Sequence, residues 1–246
     1  MTFVRFGLIV TGRGEAVFLP KLFRALMGAA HCTFEVIRKS EQLSPLTSPR
    51  RKLAMVGRGM RIPTIDEEQF GLPALSYLRR HRDGFVLVID DLERARQFQA
   101  AEVFARYRTA LNEVLDSVGL SARAAVHFLV NMLEAYYFAH AEVVNRVAGH
   151  VLLQDDHNGD IEAIPHPKNQ LKQVWLGFDE VEHGAIIIGE LDLDHILRSP
   201  HHCCWLRTLF AWCIDRLRDN DAIYDEQIHE RFQLRDGCRT DLTLHQ

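Results

Sequence analysis

The chain has 246 residues, 47% hydrophobic and 25% charged, with a formal net charge of −4 at pH 7. That balance suits a globular protein with one substantial core, alone or with an appended subdomain, and carries no global basic signature. A nucleic-acid partner stays compatible with it, because catalytic carboxylates lower the net charge while a local basic face does the binding.

Residues 1–10 contain apolar positions but are interrupted by Arg5 and lack a small-residue cleavage site, so no secretory signal is read there. No apolar run approaches the roughly 18 to 20 residues needed to span a bilayer. The five cysteines, Cys32, Cys203, Cys204, Cys213 and Cys238, are an odd number. Together these features lead to the expectation of a cytoplasmic protein in a reducing setting, without membrane contact.

In chain order, "FVRFGLIVT" (Phe3 to Thr11) reads as a strand that becomes fully buried towards its end. "GRGEAVFLPKLFRALMGA" follows, with Val17, Leu19, Leu22, Phe23 and Leu26 at helical spacing and Pro20 in the early turns. A strand, a Gly-containing turn and a helix open a βαβ unit. Phe34 to Arg38 is a second candidate strand. Ser40 to Pro73 is the most irregular stretch and the most basic, and such a long segment is usually functional or mobile.

Gly71 to Arg82 looks helical, and "GFVLVI" (Gly84 to Ile89) is the clearest buried strand. Leu92 to Val118 is expected as one long helix with Ala95, Phe98, Val103, Phe104, Leu111 and Leu115 inward. "AAVHFLV" (Ala124 to Val130) is a further strand and "NMLEAYYFAHAEVVNRVAG" a helix, with two of its three adjacent aromatics expected in the core. Strands alternating with helices imply a mostly parallel sheet covered on both sides.

From Leu152 the pattern changes to a polar loop, "QDDHNGD", then a Pro-started helix, "IPHPKNQLKQVW". One or two more helices lie within Leu191 to Leu217, and the polar tail from Arg218 is expected to be only partly packed. The domain reading is therefore an α/β unit over residues 1–150 with a basic insertion at about 40–73. A mainly helical region over residues 151–246 packs on it.

Three acidic positions follow three separate strands. Glu15 follows the first, Asp90 and Asp91 end "FVLVI", and Glu134 follows "VHFLV". Parallel strands bring their carboxyl ends to one edge, where ligands bind in open α/β sheets. Convergent carboxylates repel one another, and a hard divalent cation would explain their joint presence. The structural alternative is that Asp91 caps a helix and that Glu15 and Glu134 complement helix dipoles.

The segments "LIVTGRGEAVFLPKLFRAL", "FVLVIDDLERA" and "VNMLEAYYFAHA" resemble the TOPRIM-type proteins of bacterial anti-phage and mobile-element loci, which include the overcoming-lysogenization-defect nucleases. The likeness spans Phe3 to Lys172. Glu15 matches the glutamate that opens the first helix, and Asp90 the first acid of an Asp-x-Asp motif. Glu134-Ala135-Tyr136 and Pro167-Lys168 match further short motifs. Leu92 stands where the second acid of Asp-x-Asp belongs, so either Asp91 or Glu93 substitutes for it or a single metal is held.

The resemblance implies a TOPRIM/Rossmann-like α/β fold with a helical C-terminal addition. It implies an Mg²⁺- or Mn²⁺-dependent nuclease acting on DNA or RNA, tRNA included, as an effector in an anti-phage or mobile-element system. Glu15, Asp90, Asp91 and Glu134 would be the catalytic set, and Glu15, Asp90, Asp91 and Glu93 the metal ligands. Arg50, Arg51, Lys52, Arg58 and Arg61, with Lys168 and Lys172, would hold the phosphate backbone, although such a charge run can equally be a solvated loop. Relatives commonly work with a separate ATPase subunit, and this chain has no ATPase motif of its own. The alternative is a catalytically silent subunit that binds an ATPase or nucleic acid. Self-association into a homo-oligomer stays open.

Three other motifs carry less. "GRG" (Gly12 to Gly14) lacks the remaining glycine and lysine of a Walker A loop. "HHCC" (His201 to Cys204) has no CxxC spacing for zinc. "DDHNGD" lacks EF-hand periodicity and is read as a polar turn.

Overall fold

The structure, a computed structural model, describes residues 2–43, 62–131 and 133–246, with the backbone alone for Arg94 and Ala95. Four strands, β1 (Val4–Val10), β2 (Cys32–Lys39), β3 (Gly84–Leu92) and β4 (Ala124–Val130), form one parallel sheet in the order β2-β1-β3-β4. The chain is therefore α/β, with helices on both faces. The helices are α1 (Arg13–Leu22), α2 (Arg24–Met27), α3 (Leu72–Arg80), α4 (Ala100–Leu115) and α5 (Ala141–Ala148). They continue with α6 (Pro167–Val174), α7 (Glu182–Glu190), α8 (Leu193–Ile196), α9 (Cys204–Asp219), α10 (Ile228–Arg231) and α11 (Asp241–Leu244).

The period-2 alternation of the strands divides the core into two layers. Ile9, Val86, Val88, Leu92, Val126 and Phe128 pack against α3 and α4. Phe6, Leu8, Val10, Leu87, Ile89 and Leu129 share the other layer with residues of α1, α7 and α9. Both faces of β3 and β4 are buried, which is why these strands read as continuous apolar runs. Gly7 is needed in β1 because a Cβ there would stand 2.9 Å from the Tyr77 ring.

The region after residue 150 does not have a core of its own. Trp212 of α9 meets the Phe6 and Phe85 rings edge-on, and Phe210 stacks on Phe23. These contacts belong to one continuous apolar cluster with the sheet. Each such large side chain contributes about 1.5 to 3 kcal/mol on burial, so α9 is integral to the fold.

Four expectations change. β3 runs on through Asp90 and Asp91 to Leu92, so no helix begins at Leu92 and Asp91 is not a helix cap. The stretch from residue 92 to 118 is broken into a 3-10 turn (Arg94–Gln99), α4 and a second 3-10 turn (Asp116–Val118). Phe98 is consequently 81% exposed rather than inward. Most of "NMLEAYYFA" forms a 3-10 turn (Leu133–Ala139), with Tyr136 and Tyr137 in the core as expected.

The tail is also better packed than its polarity suggested. Ile228, Phe232 and Leu234 are buried. The side-chain amide of Gln246 accepts from the Val126 N–H (2.7 Å) and donates to the Val126 carbonyl (2.8 Å), on the open edge of β4. Cys204 and Cys238 form a disulfide across a separation of 34 residues, which runs against the reducing setting expected from the cysteine count. It also removes one sulfur from any zinc reading of "HHCC".

Candidate functional site

In the order β2-β1-β3-β4 the connection leaving β1 turns to β2 on one side, and the connection leaving β3 turns to β4 on the other. The crevice beyond the carboxyl ends of β1 and β3 is the topological switch point, where open α/β sheets bind ligands. β1 ends opposite Ile89, its last partner being Val10. Asp90 and Asp91 thus project past β1 while still paired with Phe128 and Leu129 of β4. Glu15 comes from the first turn of α1, directly after β1, and Glu134 from the 3-10 turn that follows β4.

Neighbours on a strand point to opposite faces, and the two aspartates differ accordingly. Asp90 is fully buried on the α4 side. The Thr11 hydroxyl donates to its Oδ1 at 2.6 Å, the Tyr107 hydroxyl donates to its Oδ2 at 3.0 Å, and Arg96 stands 3.6 Å from Oδ2. Tyr107 in turn accepts from the Leu43 N–H, and Arg96 donates to the Leu43 carbonyl. Burial raises the Asp90 carboxyl, while Thr11, Arg96 and Tyr107 pull it back down. Asp90 is therefore the centre of a satisfied network that ties β3 to α4 and to the chain leaving β2.

Asp91 lies on the opposite face and keeps 7% exposure, as does Glu15, with Glu134 at 9%. Its Oδ1 is buried and has no hydrogen-bond partner among the described residues. Burial raises its pKa well above the ordinary value, and the charges of Glu15, Asp90, Glu134 and Glu93 raise it further. Glu15 is raised first by burial and then by Glu134 and Asp90. Its carboxylate folds back over Gly12, where any Cβ would collide with it, so the glycine of "GRG" makes room for the acid. Glu134 is raised by burial and by Glu180, against the pull of Lys168 and Lys172.

Lys168 and Lys172 stand four residues apart on α6, which packs on the turn carrying Glu134. Lys168 is half-buried at the rim of the acidic group. Burial would lower its pKa, but its hydrogen bond to Glu180 and the charges of Glu180, Glu134 and Asp91 raise it. Glu93 is exposed just past β3. Arg50, Arg51, Lys52, Arg58 and Arg61 lie outside the described residues. The structure thus gathers Glu15, Asp91, Glu134 and Lys168, sets Asp90 behind them, and leaves Leu92, the residue in the Asp-x-Asp position, in the α4-side core.

The donor set agrees in chemistry with a hard divalent ion. It consists of carboxylate oxygens with raised proton affinity, one of them orphaned, at a glycine-made cradle. Among the described residues, no three His, Cys, Asp or Glu side chains are placed to hold an ion by themselves. That is compatible with Mg²⁺, which is usually bound through one or two carboxylates, several waters and substrate phosphates rather than an all-protein cage.

Thr11, Tyr107, Arg96 and Glu180 were not singled out from the sequence. Tyr107 had a signal, since it shares the i, i+4 stripe of Val103 and Leu111 and puts a polar tip in an apolar row. Glu180 had none, because the turn between α6 and α7 has no pattern that points at α6. In comparison with known proteins, no family model, curated protein or solved structure matches the chain. No helix among the described residues is long and apolar enough to cross a membrane.

Proposed function

We propose that this protein is a TOPRIM-like, divalent-metal-dependent nuclease that hydrolyses phosphodiesters of DNA or RNA at the carboxyl edge of its sheet. The observation that carries the reading is the orphaned, buried Asp91 oxygen beside Glu15 and Glu134 at the switch point. A buried carboxylate oxygen left unpaired among like charges costs free energy, and a bound cation would relieve that cost. Asp91 and Glu15 are the residues that would hold Mg²⁺ or Mn²⁺. The ion would supply Lewis-acid polarisation of the phosphoryl oxygen and a lowered pKa for the attacking water.

The chain's own groups have distinct tasks in this reading. Glu134, raised by burial and close to Lys168, is suited to take the proton of the attacking water. Lys168 neutralises the phosphate. Asp90 is a positioning residue, holding β3 through Thr11 and Tyr107. The anti-phage setting and a separate ATPase subunit follow from the resemblance in the sequence and stand as part of the same proposal, beside the cytoplasmic location read from the lack of a signal or spanning segment and from the cysteines.

The test is incubation of the purified protein with plasmid DNA and with tRNA, with Mg²⁺ or Mn²⁺, beside Glu15→Ala, Asp91→Asn and Asp90→Ala. Cleavage is expected to fall about a thousandfold in Asp91→Asn and Glu15→Ala. Cleavage that survives both substitutions would remove the site. The second reading, a silent subunit, is favoured by the lack of three converging ligands among the described residues and by the occupied oxygens of Asp90. It is supported if no cleavage and no Mn²⁺ binding occur, with or without an ATPase partner.

A further inference from the structure

Glu180 reaches from the turn between α6 and α7 and divides its two oxygens between two lysines. Oε2 meets Lys168 Nζ at 2.5 Å and Oε1 meets Lys172 Nζ at 2.6 Å. All three side chains keep contact with solvent, at 28% exposure for Lys168, 37% for Glu180 and 46% for Lys172. Half-exposed pairs of this kind are weak, so the contact can open readily. The backbone beneath it is held independently. The Asp179 carboxylate accepts from the N–H groups of Val181 (2.8 Å) and Glu182 (2.7 Å), so Glu180 can swing out by side-chain rotation alone.

The position of the pair gives it meaning. Lys168 interacts with Glu134 and Asp91 as well as with Glu180, so the lysines border the acidic group. Two ammonium groups brought together require an anion. The one present has a single negative charge shared over two oxygens, which is also the charge and oxygen count of a phosphodiester's non-bridging pair.

We propose that Lys168 and Lys172 form the phosphate subsite for a nucleic-acid strand entering this site, and that Glu180 occupies it as an internal stand-in which the strand must displace. The inference rests on the nuclease reading for its choice of strand, but its geometry stands on the lysine–glutamate contacts. Glu180 thereby sets a threshold for binding. A single weak phosphate contact does not open the subsite, whereas a strand engaging several contacts does.

The experiment is fluorescence anisotropy of the full chain with a fluorescein-labelled single-stranded oligodeoxynucleotide in EDTA, where no metal-dependent hydrolysis occurs. Glu180→Gln is expected to bind about fivefold to tenfold tighter, with a log affinity against log salt slope steeper by about 0.7 per restored positive charge. Adding Lys168→Gln to Glu180→Gln is expected to cancel the gain. If Glu180→Gln disturbs the turn, Glu180→Asp, too short to reach both lysines, is expected to show the same direction.

Unchanged or weaker binding in both Glu180 variants, with unaltered melting temperatures, overturns the stand-in. Displacement of the strand by sub-millimolar inorganic phosphate also overturns the strand assignment, in favour of a free phosphate or mononucleotide. Loss of the nuclease reading is distinguishable. A chain that never cleaves but tightens in Glu180→Gln keeps this subsite as that of a binding protein.

Discussion

Two carboxylates, Glu162 and Asp91, are buried, and they differ in what meets them. Glu162 sits under the first turn of α9. Its Oε1 accepts from the Leu206 N–H (2.9 Å) and the Tyr136 hydroxyl (3.1 Å), and its Oε2 from the Trp205 N–H (3.0 Å). Asp91, also buried, has an oxygen unpaired among the described residues and acidic neighbours. Glu162 satisfies the orphan donors of a helix N-terminus and fixes α9 against the 3-10 turn. Asp91 Oδ1 meets no hydrogen-bond donor among the described residues, and it is on this contrast that the proposed ligand site rests. Asp90 belongs with Glu162, although it is Asp91's neighbour in sequence.

That contrast can be broken experimentally, beginning with the largest effect. Glu162→Ala would orphan two helix N–H groups and a buried tyrosine hydroxyl, and is expected to cost about 4 kcal/mol in urea unfolding. A cost below that of an ordinary surface substitution would end the view of Glu162 as scaffold. Cys238→Ser, which removes the link from the tail to α9, is expected to cost about 3 kcal/mol and to speed amide exchange at Val126. Unaltered exchange there would mean that Gln246 holds the edge of β4 without the disulfide.

The pH dependence sharpens the comparison. His127 is buried with no hydrogen-bond partner among the described residues, its ring edge-on to Trp212, and desolvation lowers its pKa to about 3. It is neutral in the fold, whereas the unfolded chain takes up a proton below its ordinary 6.5. The stability this provides is present above 6.5 and is lost as pH falls towards 3. Glu162 acts oppositely. Burial raises its pKa from 4.5 to about 7, against the pull of the Leu206 and Trp205 N–H groups, so its contribution is lost as pH rises through that interval. The two oppose each other where the intervals overlap. Below about pH 4.5 the Glu162 opposition has ended, and the His127 contribution runs at up to about 1.4 kcal/mol per pH unit. The lowered Asp156, Asp179 and Glu180 carboxyls contribute beside it, and His127→Leu should remove the His127 part of the slope.

The smallest effect has the opposite sign. Asp91→Asn removes a carboxyl whose ionised form burial and the neighbouring acids disfavour, and should stabilise the metal-free protein by about 1 kcal/mol. It should also cancel any rise in melting temperature caused by Mn²⁺. Destabilisation by this substitution would place Asp91 with Glu162 as a structural group.

Much of the fold was legible because burial on both faces leaves an unmistakable apolar run. "FGLIV", "FVLVI" and "AAVHFLV" are strands where expected, and their acidic followers do lie at one edge. The long helix from Leu92 was misread because its boundary depends on β4. Pairing with Leu129 and Val130 keeps Asp91 and Leu92 in the ladder, and no local propensity reports that. The tail was misjudged for a similar reason, since its few apolar residues are sufficient only because α9 is already there to receive them.

By itself, then, the sequence determined the α/β class, the parallel sheet, and the fact that acids gather at its carboxyl edge. These follow from periodicity and from strand direction, which are properties of the local chain. Only the tertiary structure decided which acid is satisfied by its neighbours and which has an oxygen unpaired among the described residues. Strand pleat turns Asp90 towards Thr11 and Tyr107 and Asp91 towards Glu15 and Glu134, and a shift of one residue would exchange their roles. It alone also placed Glu180 between two lysines, because that contact depends on how the turn before α7 lies against α6.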